Sequence, residues 1–162
     1  MGDCNAKLEQ RAKAYQQILQ EEGYGAREPE WDPQTNTWDI RVKYEGMFML
    51  IMLDLDDPAF VRMLLPNFFE ISAEQLQPAM IALELTNKKC KGAKLYLNRA
   101  QDDTFAAVEV LDDGAGMQAK ILMRYLDMLV GAAKFFVENL KKQMNELPPY
   151  DGAVLAFSVT TH

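Results

Sequence analysis

The sequence predicts an α+β domain in which an antiparallel sheet of about five strands packs against helices, in the order α-β-β-β-α-β-β-α. Two observations lead to this class. Residues 38–53 and 94–111 each read as two short strands joined by a tight turn, which indicates hairpins. Apolar residues recur every three or four positions before, between and after these hairpins, which indicates helices. Hairpins separated by a helix favour an antiparallel sheet over a parallel one.

Composition limits the domain count and the class of partner. With 162 residues, 49% of them apolar, the chain is long enough for one buried core, and we expect a single domain over 1–147. Residues 148–162 are expected to form a C-terminal tail that is strand-like or disordered. A net charge of −7 argues against nucleic acid, whose phosphates need clustered Lys and Arg. The basic cluster that does occur, at 88–94, ends a predicted helix, where cations are favourable.

The length of the apolar runs and the placement of the cysteines predict a cytoplasmic protein with no membrane partner. The longest wholly apolar run, Met47–Leu53, is far shorter than the ~20 residues of a spanning helix. Cys4 and Cys90 form no pair motif and no disulfide framework, which fits a reducing compartment.

A first helix is predicted from a cap at Asp3 or Asn5 to about Glu22, with Gly23 as its stop. Its apolar face comprises Leu8, Ala12, Tyr15, Ile18 and Leu19. The opposite face of the helix is polar, so we expect the helix to cover the sheet from outside. A proline-containing connector, Arg27–Asn36, follows.

The first hairpin joins two different kinds of strand. Trp38–Tyr44 alternates apolar and polar residues, as does a strand buried on one face, and Glu45-Gly46 supplies the turn. Met47–Leu53 is apolar at every position, which predicts a strand that is dry on both faces. For Phe60–Phe69 the local signals fit a third strand, interrupted by Pro66-Asn67, or a short helix; we favour the strand.

A second helix and a second hairpin follow. Ser72 and Gln75 have the spacing of a capping box, while Pro78 suggests that the regular helix begins late, after a preliminary turn. Its predicted inward residues are Met80, Ile81, Leu83, Leu85 and Asn87, and Gly92 is its stop. Lys94–Arg99 and Thr104–Leu111 then form the hairpin, turning at Asp102-Asp103.

The last helix, Ala115–Leu147, is the longest element predicted. Unbroken, it would span roughly 50 Å, more than a domain with a radius of gyration near ~15 Å can cover. It has several apolar stripes and a narrow polar ridge near Lys120, Arg124, Asp127, Lys134 and Glu138. We therefore predict a homodimer, with Gly131-Ala132-Ala133 allowing a close crossing; the alternative is a bend at Gly131 that folds both halves onto one sheet.

The predicted dimer or partner interface combines the long helix with the all-apolar strand. Its candidate residues are Met123, Val130, Ala133, Val137, Leu140 and Met144 of the helix, and Met49 and Ile51 of the strand. Ten methionines, many of them in these two elements, suit an adaptable protein-binding surface, although ordinary core filling also explains them.

No pattern in the sequence indicates catalysis, a metal site or a cofactor. The sole histidine is His162, and the serines are Ser72 and Ser158, so no nucleophile is paired with an imidazole. Two distant cysteines give no zinc ligand set. The carboxylates of 54–57 lack EF-hand spacing and read as a solvated loop with a cap. We predict that the protein is not an enzyme.

A glycine motif, Gly114-x-Gly116-x-x-Ala119, is the strongest signal for a small ligand. It follows a predicted strand and opens a helix, as a dinucleotide fingerprint does. The context disagrees, because no parallel strand follows the helix and because Asp112 and Asp113 would repel a pyrophosphate. The motif is read as a turn, and an anion-binding or small-molecule-binding regulatory domain is the alternative function.

Two segments give the chain a resemblance to a known family. Asn87-x-x-x-Lys91-Gly-Ala-Lys-Leu-Tyr96-Leu before an acidic turn, and Asp57-x-x-Phe60-x-Arg62-x-x-Leu65-Pro66-Asn67 after the first hairpin, resemble the YbjN-like family of bacterial regulators of sensory transduction. The resemblance covers about Asn5–Leu147. The Pro33–Asn36 connector and the tail after Pro148 depart from the family's pattern.

The resemblance implies a type III secretion chaperone-like fold and no catalytic motif. The best-understood proteins with that fold are small, acidic, homodimeric cytoplasmic chaperones that hold an extended segment of an effector. The sequence as a whole thus predicts a non-enzymatic protein-binding module, chaperone-like or regulatory. Its predicted partners are a second copy of itself and another protein or an extended peptide.

Overall fold

Three helices and six strands make up the part of the chain that the computed structural model describes, residues 2–98, 103–112 and 116–146. The helices are α1 (Gly2–Glu21), α2 (Leu76–Lys89) and α3 (Ala119–Glu146). The strands are β1 (Glu30–Asp32), β2 (Thr37–Tyr44), β3 (Met47–Asp54), β4 (Phe60–Glu70), β5 (Lys94–Asn98) and β6 (Asp103–Leu111). A 3-10 turn, Ala73–Gln75, precedes α2.

The strands form one antiparallel sheet in the order β1-β2-β3-β4-β6-β5, which confirms the predicted α+β class. Strand β1 is additional to the five that the sequence predicts, and it lies inside the predicted connector. Trp31 of β1 pairs with Trp38 of β2, their ring centroids 5.8 Å apart. A strand of three residues is too short to show a period of two, so the pattern of apolar residues does not reveal it.

Helix α1 ends as predicted, but the predicted start is wrong: it begins at Gly2, so Asp3 and Asn5 lie within the helix and do not cap it. Its apolar residues Leu8, Ala12, Tyr15 and Leu19 are buried, and it contacts β2 and β3. At its end Gly23 adopts φ +89°, which glycine tolerates, and the next N–H, that of Tyr24, donates to the carbonyl of Leu19 at 2.9 Å.

The first hairpin turns at Glu45-Gly46, where both residues have positive φ, as two-residue hairpin turns require. The prediction that β3 is dry on both faces is wrong. Met49, Ile51 and Leu53 are fully buried, whereas Phe48, on the other face, is 51% exposed. Helices cover the sheet on one face, so the second set of apolar residues in this strand lies at the opposite surface.

The segment that the sequence left open between strand and helix is strand β4, as favoured. It pairs with β6 from Phe60 to Glu70, with a shift of register between Leu65 and Phe69. Pro66, which has no N–H to donate, and Asn67, with φ +49°, lie inside this shift. The interruption is therefore a bulge within one strand.

Helix α2 begins earlier than Pro78 suggested, because Pro78 occupies the first turn, where its missing N–H costs no intrahelical bond. The N–H of Ser72 donates to Oε1 of Gln75 at 3.1 Å, in accord with the predicted capping box. The predicted inward face is partly wrong. Met80 is 43% exposed and Leu85 is 38% exposed, while the buried residues are Pro78, Ala79, Ala82 and Thr86.

Helix α3 is continuous over 28 residues, about 42 Å at ~1.5 Å per residue. Its predicted first residue, Ala115, lies outside the described part of the chain. The helix passes through Gly131 without a break, so its two halves are not separate helices. The predicted polar ridge is confirmed: Lys120, Arg124, Asp127, Lys134 and Glu138 are all exposed, and Gly131 is exposed with them.

Candidate protein-interaction surface

The six-stranded sheet has an inner face under the helices and an open face on its other side. Helix α1 contacts β2 and β3; α3 contacts β4, β5 and β6; and α2 packs on α3 and the edge strand β5. Side chains of the inner face, such as Ile40, Ile51 and Val61, are fully buried. Within the described ranges no helix lies over the other face, which we call the open face.

The open face is apolar at its centre. In the register of the sheet, Leu50 of β3 lies beside Leu64 of β4, and Leu64 lies beside Ala107 of β6. Cations end this row on both sides, because Arg41 of β2 is the neighbour of Leu50 and Lys94 of β5 is the neighbour of Ala107. The row is thus a strip of small and branched apolar groups that ends at two cationic residues, of which Arg41 pairs with Glu30 and Lys94 directs its Nζ to carbonyls at the end of α2.

Larger apolar side chains extend this centre towards solvent. Phe48 is 51% exposed, Phe60 42%, Tyr96 47% and Leu111 69%. Phe60 and Leu111 are register partners on β4 and β6, so they lie side by side. Exposed apolar residues that occur singly need no explanation, but a group of this kind on one sheet face is typical of a surface that binds another protein.

A second row across the sheet carries charges of both signs. Arg62 of β4 forms an ion pair with its register partner Glu109 of β6, and both side chains are about half exposed. At the β2 end of the row lies Asp39, which accepts a hydrogen bond from the hydroxyl of Thr37 at 2.7 Å. Burial raises the pKa of Asp39. An exposed pair such as Arg62–Glu109 adds little stability, and its polar groups remain available to a partner.

The structure places most of the predicted interface residues inside the chain's own core. Met49, Ile51, Val130, Ala133 and Leu140 are buried, the first two on the inner face of the sheet. Met123 and Val137 are partly buried against the same core. Met144 is exposed by 45%, and Nε2 of Gln75 lies 3.7 Å from its sulfur. Among the predicted interface residues, Met144 is therefore the one whose side chain is most exposed in a single copy of the chain.

Sequence reasoning missed the residues of the open face because, of the two sets of alternate residues in β3, it named the set that faces the helices. Met49 and Ile51 alternate with Phe48, Leu50 and Met52, and apolarity alone does not tell which set faces the helices. A signal was available in the hairpin partner: Arg41 and Lys43 of β2 must share a face with Leu50 and Phe48. Charged neighbours identify that face as the one away from the core.

The glycine motif opens α3 beside a partly buried ion pair. Gly116, with φ +99°, lines a cleft together with Arg11, Tyr15 and Asp112, while Gly114 lies outside the described residues. Nη2 of Arg11 is 3.0 Å from Oδ2 of Asp112, and the hydroxyl of Tyr15 donates to the same oxygen at 2.8 Å. Burial and that hydrogen bond raise the pKa of Tyr15. Both Nη atoms of Arg11 are engaged, by Asp112 and by the carbonyl of Pro58, while its buried Nε has no partner among the described residues. The carboxylate of Asp112 beside it disfavours an anionic ligand.

The remaining predicted features have structural roles. The N–H of Asp56 donates to Oδ1 of Asp54 at 2.8 Å, as in a turn, and among the described residues no group of three potential metal ligands occurs. Nζ of Lys94 binds the carbonyls of Asn87 and Cys90 at the end of α2, in accord with the helix-end interpretation of the basic cluster. Cys4 and Cys90 are free thiols, and burial raises the pKa of Cys90.

No protein-family model matches the chain, and no curated protein matches its sequence. Solved structures do match it. An uncharacterised protein from Methanothermobacter thermautotrophicus aligns with a TM-score of 0.63 at 13% identity, over 82% of this chain and 98% of that one. YbjN from E. coli, a candidate transcription regulator, aligns with a TM-score of 0.57 at 12% identity, over 81% and 92%. A chain of the HopA1-SchA chaperone-effector complex aligns with a TM-score of 0.55 at 13% identity, over 83% and 95%.

The chain has a YbjN-like, type III secretion chaperone-like fold. This confirms, as a statement about fold, the resemblance that the two sequence segments suggested. The structures that carry names are described as a regulator and as a chaperone-effector complex. In the described part of the chain, the helices are too short or too polar to traverse a bilayer.

Proposed function

We propose that this protein is a non-enzymatic protein-binding module, chaperone-like or regulatory, that holds an extended segment of a partner on the open face of its sheet. The observation that carries the proposal is the apolar centre of that face, with Leu50, Leu64 and Ala107 in one row and exposed aromatic side chains around it. The fold, shared with a chain of a chaperone-effector complex, supports the same proposal. A cytoplasmic location in a bacterium belongs to the proposal.

Homodimerisation, predicted from the long helix, remains part of the proposal in a revised form. Because most apolar residues of α3 are covered by its own chain, the described residues offer a second copy two kinds of apolar surface: the open face, and single exposed residues of the helices, namely Leu76, Met80, Leu85, Ile121 and Met144. Size-exclusion chromatography with light scattering at micromolar concentration measures the assembly directly. A mass of two chains is expected, and the mass of a single chain would remove the dimer from the proposal.

The binding function is tested with peptides selected from a random phage-displayed library on the intact protein. Their affinities are then measured by fluorescence anisotropy for the wild type, Leu50→Glu and Ile121→Glu. Leu50→Glu places a charge in the middle of the open face, and we expect the dissociation constant to rise by about tenfold or more, since a buried unpaired charge at an interface is costly. Ile121, 41% exposed on α3, is the matched control, because it receives the same charge away from the sheet.

Two results would contradict the proposal. One is a selection that enriches no peptide on the wild type. The other is an equal loss of affinity in Leu50→Glu and Ile121→Glu, which would show that the added charge weakens binding wherever it is placed.

A further inference from the structure

The margin of the open face, along the outer side of β2, forms an open cleft of about 610 Å³. Arg27, Arg41 and Lys43 line it together with Phe48, the aromatic residue that is 51% exposed. Lys43 and Phe48 are register partners in the first hairpin, so a cation and an aromatic ring stand next to each other at this margin. The cleft is continuous with the open face.

The cleft is positively charged in a chain whose net charge is −7. Among the described residues, its lining contains three cations and no carboxylate. Arg41 is partly neutralised, because its Nη1 lies 2.8 Å from Oε2 of Glu30. Within the described residues, Arg27 and Lys43 have no ion-pair partner, so their charges are directed to solvent at this margin.

The backbone at this margin leaves one residue of β2, Lys43, without a backbone partner on its outer edge. Strand β1 pairs with β2 only as far as Asp39, and the N–H of Arg27 then donates to the carbonyl of Arg41 at 3.0 Å. Because alternate residues of a strand direct their N–H and C=O to the same side, those of Lys43 point to the same edge as the carbonyl of Arg41. In the described chain no backbone group pairs with Lys43 on that side. The backbone of a bound peptide can therefore form hydrogen bonds with Lys43 here.

We propose that this cleft binds an acidic, extended peptide segment of a partner protein. Its carboxylates lie at Arg27 and Lys43, and an apolar side chain packs on Phe48. The inference rests on the proposed function and names the chemistry of the partner. A polynucleotide fits less well, because the chain's overall negative charge repels a phosphate backbone and because only a peptide supplies N–H and C=O groups for the edge at Lys43.

The test uses a fluorescein-labelled eight-residue peptide that alternates glutamate with valine and phenylalanine. The double variant Arg27→Glu/Lys43→Glu reverses the two unpaired charges, and Lys89→Glu/Lys91→Glu, which changes the net charge by the same amount, is the matched control. Lys89 is exposed on α2, which contacts β5 at the other edge of the sheet. The acidic peptide should bind the wild type, and the double variant should lose about tenfold or more in affinity, as expected when two exposed pairs become repulsive. Lys89→Glu/Lys91→Glu should stay within about twofold of the wild type.

Two further probes separate the classes of partner. A peptide with lysine in place of each glutamate should bind at least about tenfold more weakly than the acidic one, and the acidic peptide should weaken as salt rises. A single-stranded oligothymidine should bind more weakly than the acidic peptide. Phe48→Ala should weaken the acidic peptide without changing its salt dependence. Circular dichroism on each variant verifies that the sheet is retained.

Equal binding of the acidic and basic peptides, unchanged affinity in the double variant, or tighter binding of the oligothymidine would overturn the inference. If both peptides bind equally and are lost in Leu50→Glu but not in the double variant, the inference fails while the proposed function stands. If neither these peptides nor the library-selected ones bind, both fail.

Discussion

The two faces of the sheet have similar apolar residues and opposite environments. On β3, Ile51 is fully buried under the helices, while its neighbour Phe48 on the other face is 51% exposed. Both belong to the same all-apolar run of the sequence. The difference comes from where the helices lie, since α1 and α3 contact the inner side of the sheet.

This difference separates stability from recognition. Apolar area on the inner face is removed from water when the chain folds, so it contributes to the free energy of folding. Apolar area on the open face is removed from water only when something binds there, so it contributes to the free energy of binding. A strand that is apolar on both sides can therefore serve both purposes, each with one set of alternate residues.

The largest expected effect compares two neighbours on β3. Ile51→Ala, on the inner face, should lower the free energy of unfolding by about 3 kcal/mol, because it leaves a cavity in a closed core. Leu50→Ala, on the open face, should lower it by about 1 kcal/mol or less, because water already reaches this side chain. Urea denaturation followed by circular dichroism measures both. Equal losses would mean that the open face is covered in solution, for example by a second copy.

The candidate surface was only partly predictable from the sequence. The all-apolar β3 correctly drew attention to this strand, but the choice of Met49 and Ile51 over Leu50 and Phe48 needs knowledge of which face the helices cover. That information resides in the packing of α1 and α3, elements far away in the sequence. The long helix was overestimated as an interface for the same reason: residues such as Leu140 are covered by the chain itself.

The next effect concerns the contact that holds α1 on the inner face. The hydroxyl of Tyr15, in α1, donates to Asp112, just after β6, at 2.8 Å. Tyr15→Phe removes this buried hydrogen bond while the ring is retained, and it should lower the free energy of unfolding at pH 7 by about 1.5 kcal/mol. Arg11 still pairs with Asp112 in the variant. A loss below about 0.3 kcal/mol would show that the bond does not stabilise the helix–sheet contact.

The wild type and Tyr15→Phe should also differ in how their stability depends on pH. The pKa of Tyr15 is raised in the folded chain, by burial first and by its hydrogen bond to Asp112 second. Above the ordinary tyrosine pKa of 10.0, the unfolded chain loses the Tyr15 proton while the folded chain retains it, so stability falls as pH rises. Tyr15→Phe lacks this contribution. Its deficit relative to the wild type should be constant up to about pH 9 and should shrink from pH 10 to pH 11.

Tyr44 is the internal control for this titration, since its pKa is also raised by burial and it is present in both proteins. Urea denaturation at each pH gives the two stability curves. A deficit that grew above pH 10 would contradict the assigned direction of the Tyr15 shift.

Much of the fold was predictable because its elements are periodic and end at marked positions. Gly23 and the Glu45-Gly46 turn ended their elements as predicted, because both need positive φ. Strand β1 and the early start of α2 were not predictable in the same way. A three-residue strand has no measurable period, and a proline in a helix looks the same in the sequence whether it occupies the first turn or the second.

The smallest expected effect concerns the outer side of the helical layer. Gly131 lies on the exposed ridge of α3, and a Cβ atom added there would meet no atom within 4 Å. Gly131→Ala should therefore raise the free energy of unfolding by about 0.5–1 kcal/mol, because alanine loses less backbone entropy in a helix. The assembly mass in light scattering should not change. If a second copy crosses this ridge at Gly131, the added methyl group will instead separate the helices, and either a fall in the assembly mass or a loss of stability would show that the helical layer, as well as the open face, has a partner.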